Sequence, residues 1–287
     1  MSAIYRRELK ALFTGMIAPI FMAFLLLMTG IYSVSINFAG LRPQFEYVVP
    51  SMLFIFLLIV PILTMRSFSE DKANRTDQLL YSLPLSTTSI VLGKYLAMVT
   101  VLGISTAVMC LYPVIISIYG DVYMTTAYAS ILAFFLLGCA LIAIGMFIST
   151  LTESQVISAV LTFITLLLLY LLTNITSMIP ETALSSLMLF LALTVILAVI
   201  VYVMTKNGVM ACIIGAILVI AECALYFVKS SLFEGTFAAF LNKLAIFDSL
   251  TNFVYGVFDI PALVYYLSVV FLFGFLTVQA FDKKRWN

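Results

Sequence analysis

The chain has 287 residues, 64% of them hydrophobic and 9% charged, with a net charge of +1, no histidine and a mean hydropathy of +1.21. A soluble domain carries about a quarter charged residues, and this much apolar side chain cannot be hidden in one soluble core, so the composition points to a single membrane domain. With no long basic run, nucleic-acid binding is excluded, and without His the commonest general base and metal ligand are gone.

In chain order, residues 1–17 read as an amphipathic helix. Tyr5, Leu9, Leu12, Phe13 and Met16 share one face and Arg6, Arg7, Lys10 and Thr14 the other. Such a helix lies on the inner membrane surface with its cations near anionic headgroups. The basic start followed by an apolar run resembles a signal peptide, but no clean small-x-small site follows, so the run is expected to be retained as a first span. Spanning needs roughly 20 mostly apolar residues, and about eight runs meet this within residues 18–287: 17–38, 48–65, 95–119, 125–148, 156–178, 184–204, 209–228 and 261–280. They are continuous rather than alternating, which excludes a β-barrel. The expected fold class is therefore an all-α polytopic membrane protein. A six-span count would need 184–204 and 209–228 to form one re-entrant pair.

Between the second and third spans, residues 66–94 form the longest loop expected in the cytoplasm. Glu70, Asp71, Lys72, Arg75 and Asp77 crowd its first half, Leu79, Leu80 and Leu83 follow, and Pro84 stops a helix. A short helix near 70–82 with one charged and one apolar end is expected; its alternative is a solvated connector. Residues 230–259 read as an external interfacial or re-entrant helix, since Phe233, Phe237, Phe240, Leu241, Leu244 and Phe247 have helical spacing while Asn242, Lys243, Asp248 and Asn252 make it wetter than a span.

Placing both termini in the cytoplasm puts Arg6, Arg7, Lys10, Arg66, Lys72, Arg75, Lys94, Lys206, Lys283, Lys284 and Arg285 inside and only Arg42, Lys229 and Lys243 outside. That is the positive-inside bias. Glu222 is an acid inside an apolar run, about six residues or roughly 9 Å from the outer end. Intramembrane acids mark transport paths, but Tyr226 and Lys229 follow on the same side, so a snorkelling or ion-paired role is the alternative. Pro61, Pro113 and Gly145 fall in or near spans, where Pro and Gly are ordinary. Cys110, Cys139, Cys212 and Cys223 have no metal or redox spacing and read as small buried hydrophobes.

Much chemistry is missing. No G-x-x-x-x-G-K-[ST] loop occurs, so the chain has no such cradle for ATP phosphates. H-E-x-x-H and a Ser-His dyad are impossible, and no G-x-S-x-G is present. No catalytic residue, cofactor or metal site is expected in this chain.

The stretch SEDKANRTDQLLYSLPLSTTSIVLGKYLA resembles the segment after the second span of ABC type-2 (ABC-2) permeases. There Glu-x-x-x-Gly-Thr-x-x-x-Leu-Leu-x-x-Pro precedes an apolar run ending Gly-Lys. Glu70, Thr76, Leu79, Leu80, Pro84, Gly93 and Lys94 match, and Arg75 stands where the family usually has Gly. FISTLTESQVISAVLTFI is similar to the loop between the fourth and fifth spans, with Ser149, Thr152 and Gln155 in place. The C-terminal block resembles the gliding-motility-type branch through Gly256, Asp259, Lys284, Arg285 and Trp286. The resemblance implies a six-span core, to which the sixth and seventh runs add a pair. It implies a permease of an exporter in the bacterial cell membrane that couples to a cytoplasmic ABC ATPase holding ATP and Mg. Glu70, Asp71, Lys72, Arg75, Thr76, Leu79, Leu80 and Pro84 would form the coupling surface. It implies further a second permease copy or paralogue, and an auxiliary membrane-anchored extracytoplasmic subunit at 230–259. The competing functions are an ion-driven secondary transporter, for which only Glu222 speaks; a membrane enzyme, which the missing motifs disfavour; and a non-transporting scaffold or sensor of an ABC-like complex. A neighbouring gene for a P-loop ATPase would favour the permease or the scaffold over the secondary transporter.

Overall fold

Backbone facing lipid has to satisfy its own N–H and C=O groups, which helices do within one segment. A computed structural model describes residues 2–75, 86–180, 182–205, 208–229 and 233–286, and every regular element among them is helical. They are α1 (Ser2–Thr14), α2 (Ile17–Ser33), α3 (Val48–Ser51), α4 (Leu53–Thr64), α5 (Ser69–Ala73), α6 (Thr87–Met109), α7 (Leu111–Ile116), α8 (Met124–Leu151), α9 (Gln155–Met178), α10 (Ala183–Thr205), α11 (Gly208–Val228), α12 (Thr236–Leu244), α13 (Thr251–Val254) and α14 (Ile260–Trp286). The chain divides into two units, Met1–Leu168 with Ser249–Asn287, and Leu169–Asp248.

Among the described residues six stretches are long and apolar enough to cross a membrane: Ile17–Ala39, Leu53–Ala73, Thr87–Ile116, Met124–Leu151, Gln155–Leu172 and Ile260–Lys283. The extra pair exists as helices α10 and α11, but their described apolar stretches, Ala183–Val195 and Gly215–Tyr226, fall short of that length. The third span starts at Thr87, earlier than the expected residue 95. Lys94 does not end it, because its ammonium is buried and paired, and Ser86 caps the helix by accepting from the Ser89 N–H at 3.4 Å.

In the first unit α8 is the hub, packed against α4, α6 and α14. Its apolar window is 78% buried, against 22% for α14. Small residues let it be central: a Cβ at Gly145 would collide with the Thr64 hydroxyl, so only glycine permits the approach of α4. Phe56 of α4 and Phe134 of α8 stack with ring centres 4.3 Å apart. α1 does not lie free of the bundle but packs on α6 and α2. Ile4 is buried there, and the Tyr5 hydroxyl pairs with Thr100 Oγ1 at 3.0 Å. Of its expected apolar face, Phe13 and Met16 remain exposed. Met16, left-handed at φ 62°, breaks α1 from α2.

In the second unit α10 and α11 pack together, and α12 packs on α10. The helical spacing read at Phe233, Phe237 and Phe240 is realised as an aromatic cluster. Phe190 of α10 stands 5.0 Å from Phe237, 6.2 Å from Phe233 and 6.3 Å from Phe240, ring centre to ring centre.

Candidate functional site

One of the charged residues singled out after the second span, Asp71, reaches a buried cation, Lys94. Lys94, in the second turn of α6, is 3% exposed. Its ammonium donates to the Ser67 carbonyl at 2.6 Å and to Asp71 Oδ2 at 2.7 Å, and it pairs with Glu8 Oε1 of α1 at 3.3 Å. The Phe68 ring centre is 5.1 Å away. An ammonium has three donors, and burying it is tolerable only when all are used; here three oxygens, from α1, the α4–α5 turn and α5, take them. Gly93 favours the arrangement. A Cβ there would sit 3.0 Å from Ile4 Cγ2, so glycine lets α1 lie close enough on α6 for Glu8 to reach Lys94.

α5 is held from a second side by the end of α8. The N–H groups of Phe68 and Ser69, orphaned at a helix start, donate to Ser149 Oγ at 3.1 and 3.2 Å. The Lys72 ammonium donates to the carbonyls of Thr150 and Thr152, the latter at 3.3 Å, and so serves the last turn of α8, where a cation is favoured. Arg66 Nη2 donates to Glu70 Oε1 at 2.7 Å. Burial pulls the Arg7 guanidinium down, but its hydrogen bond to Glu8 and the charges of Glu8 and Asp71 outweigh this and leave it raised.

Of the expected helix over 70–82, residues 76–82 lie outside the described residues. The described helix spans Ser69–Ala73, and Arg75 follows with φ at +55°. A right-handed helix cannot run through such a residue, whose conformation is the left-handed C-cap that glycine normally takes. This is the position where the resemblance expects Gly. Of the eight expected coupling residues, Glu70, Asp71 and Lys72 make these contacts and Arg75 lies exposed just after them, whereas Thr76, Leu79, Leu80 and Pro84 lie outside the described residues. Ser149 and Thr152 join the cluster, and Gln155 opens α9. Glu8 was not singled out in the sequence. Its signal was a single carboxylate on α1, set four residues after the buried Ile4.

Elsewhere, Asp259 caps α14, accepting from the Ala262 N–H at 3.4 Å and from Asn252 Nδ2 at 2.7 Å, and Gly256 has φ 79°. Lys284, Arg285 and Trp286 belong to the last turns of α14. Glu222 is half-buried in α11; its Oε2 has no hydrogen-bond partner and makes no ion pair with Lys229 among the described residues.

The six helical stretches among the described residues that are long and apolar enough to cross a membrane indicate a multi-pass membrane protein. Residues 2–184, more than half of the chain, match the family described as ABC-2 family transporter protein, and the chain belongs to that family. No curated protein sequence matches the chain.

Proposed function

We propose that the chain is the transmembrane permease subunit of an ATP-driven ABC exporter, and that α5 is its docking element for a separate cytoplasmic ATPase, which binds the ATP and Mg. The observation that carries this reading is the bracing of α5. A helix of 5 residues is tied to α1 and α6 through Lys94 and to α8 through Ser149 and Lys72. A push on such a piece moves α1 and the two spanning helices α6 and α8 with it as a rigid body instead of being absorbed by a loose loop. Glu70 and Arg75 stand at its surface, half-buried and exposed respectively, as groups a soluble partner can grip.

The finer features follow the same reading. Both termini face the cytoplasm of a bacterial cell, supported by the Lys and Arg distribution. A second permease, identical or paralogous, completes the path. α10 and α11 add a seventh and eighth span, and the aromatic cluster around α12 offers a contact for an auxiliary membrane-anchored subunit, in keeping with the gliding-motility-type branch. Supporting that branch are Gly256 and the α14 cap at Asp259.

The test is to co-express the chain with its candidate ATPase, purify through a tag on this subunit and measure ATP hydrolysis. The ATPase is expected to co-purify, and Glu70→Ala and Arg75→Glu to lose it or to uncouple its activity. Normal assembly and coupling in both variants would overturn the role of α5.

A further inference from the structure

The first unit holds a cavity of about 260 Å³ beside Lys94, at the foot of α1, lined by Glu8, Gly15, Leu63, Arg66, Glu70 and Lys94 among others. It is smaller than the roughly 300 Å³ at which sites for drug-sized ligands begin, so it suits a headgroup and not a whole amphiphile. The donors that line it are not equal. Lys94 already has its three partners. Arg66 spends Nη2 on Glu70, while its Nε is enclosed and has no partner among the described residues. A buried N–H left empty is costly, and this one belongs to a cation suited to phosphate.

We propose that this cavity binds the headgroup of a phospholipid bearing both a phosphate and a primary amine, with the phosphate on Arg66 and the amine between Glu8 and Glu70. Two acids and two bases line the space; Glu8 and Glu70 pair with Lys94 and Arg66 through their Oε1 atoms, and a ligand with phosphate alone would bring a further negative charge beside both carboxylates while giving their Oε2 atoms no donor. A quaternary amine has no N–H to give them. The lipid source is argued from the apolar part of the same lining, Leu12, Ile17, Leu63 and Met98. Phe13, Met16 and Ile20, exposed beside it, provide a surface for acyl chains. The site goes beyond the coupling reading and stands without an ATPase.

Native mass spectrometry of the full chain, titrated with ethanolamine and choline phospholipids of identical chains and with soluble glycerophosphoethanolamine, tests it. The ethanolamine lipid is expected to bind at least about ten-fold tighter than the choline lipid, the margin of a charge-assisted hydrogen bond. Arg66→Gln should erase that preference, and Arg6→Gln, an exposed cation on α1 outside the cavity, should keep it. Equal binding of the two lipids, or an unchanged preference in Arg66→Gln, overturns the site. Soluble headgroup binding as tightly as the lipid overturns the lipid source. Should Arg66→Gln fail to fold, a photoreactive ethanolamine lipid on the unmodified chain decides: labelling within residues 8–17 or 63–70 supports the site, and labelling only elsewhere refutes it.

Discussion

Lys94 shows how one residue can invert a reading of the sequence. A lysine at the edge of an apolar run reads as the end of a loop, because a lone cation costs too much inside. The structure places it 3% exposed, with Glu8 and Asp71 as counter-charges from two other elements, and such long-range partners cannot be read from a local pattern. Removing one member of a buried pair costs about 3–5 kcal/mol, so Lys94→Met is expected to lower the unfolding midpoint sharply in detergent, while Asp71→Asn, with Glu8 still present, should lower it less. Arg75 is the converse case, where the departure from the family pattern was legible and its cost was not. Left-handed backbone costs a side-chain-bearing residue roughly 1–2 kcal/mol, partly offset by glycine's larger freedom when unfolded. Arg75→Gly should therefore be neutral or stabilising by up to about 1 kcal/mol, and Arg75→Pro, whose ring demands negative φ, should expose the turn to protease. Glu46 carries a pH prediction. It sits in a 3-10 turn between the first two spans, 5% exposed, its Oε2 without a partner among the described residues. Burial pushes its carboxyl above the usual carboxylate range. At low pH both folded and unfolded forms are protonated and nothing is lost. As the pH rises the unfolded chain ionises first, so the folded state loses stability until the raised folded value is passed. Glu46→Gln is expected to flatten that part of the pH–stability profile and to raise the midpoint at neutral pH.

At the scale of elements, the long helices were readable because a membrane span needs only length and apolarity; α2, α8, α9 and α14 fall within a few residues of their expected positions. The short elements were not, because their limits come from contacts. α5 owes its first turn to Ser149, a residue 80 positions away from Ser69, and its end to one left-handed residue. The helix packing was likewise hidden in the glycines. Gly145 and Gly274 look alike in sequence, but a Cβ at the first meets Thr64 and at the second meets nothing within 4 Å. Gly145→Ala is expected to cost about 1–3 kcal/mol through overpacking, whereas Gly274→Ala should be neutral or slightly stabilising in a helix interior. Thermal unfolding of the two variants side by side checks the assignment of α8 as the hub.

Over the whole molecule, the family match ends at residue 184, where α10 begins. The matched part carries α1, α5, Lys94 and Ser149, hence the braced cluster proposed for coupling, while most of the second unit lies beyond it. The division fits a permease core that keeps its docking end and carries an added aromatic-rich unit. In that account one end of the bundle meets the ATPase and the other does not. The most direct measurement sets a photo-crosslinking amino acid at Asn74, exposed at the end of α5, and in a second variant at Tyr123, which is 70% exposed just before α8 at the far end from Ser149. In the complex with the ATPase, the account predicts a crosslink to the ATPase from Asn74 and none from Tyr123. A crosslink from Tyr123 with none from Asn74 would contradict both the docking role of α5 and the orientation of the chain.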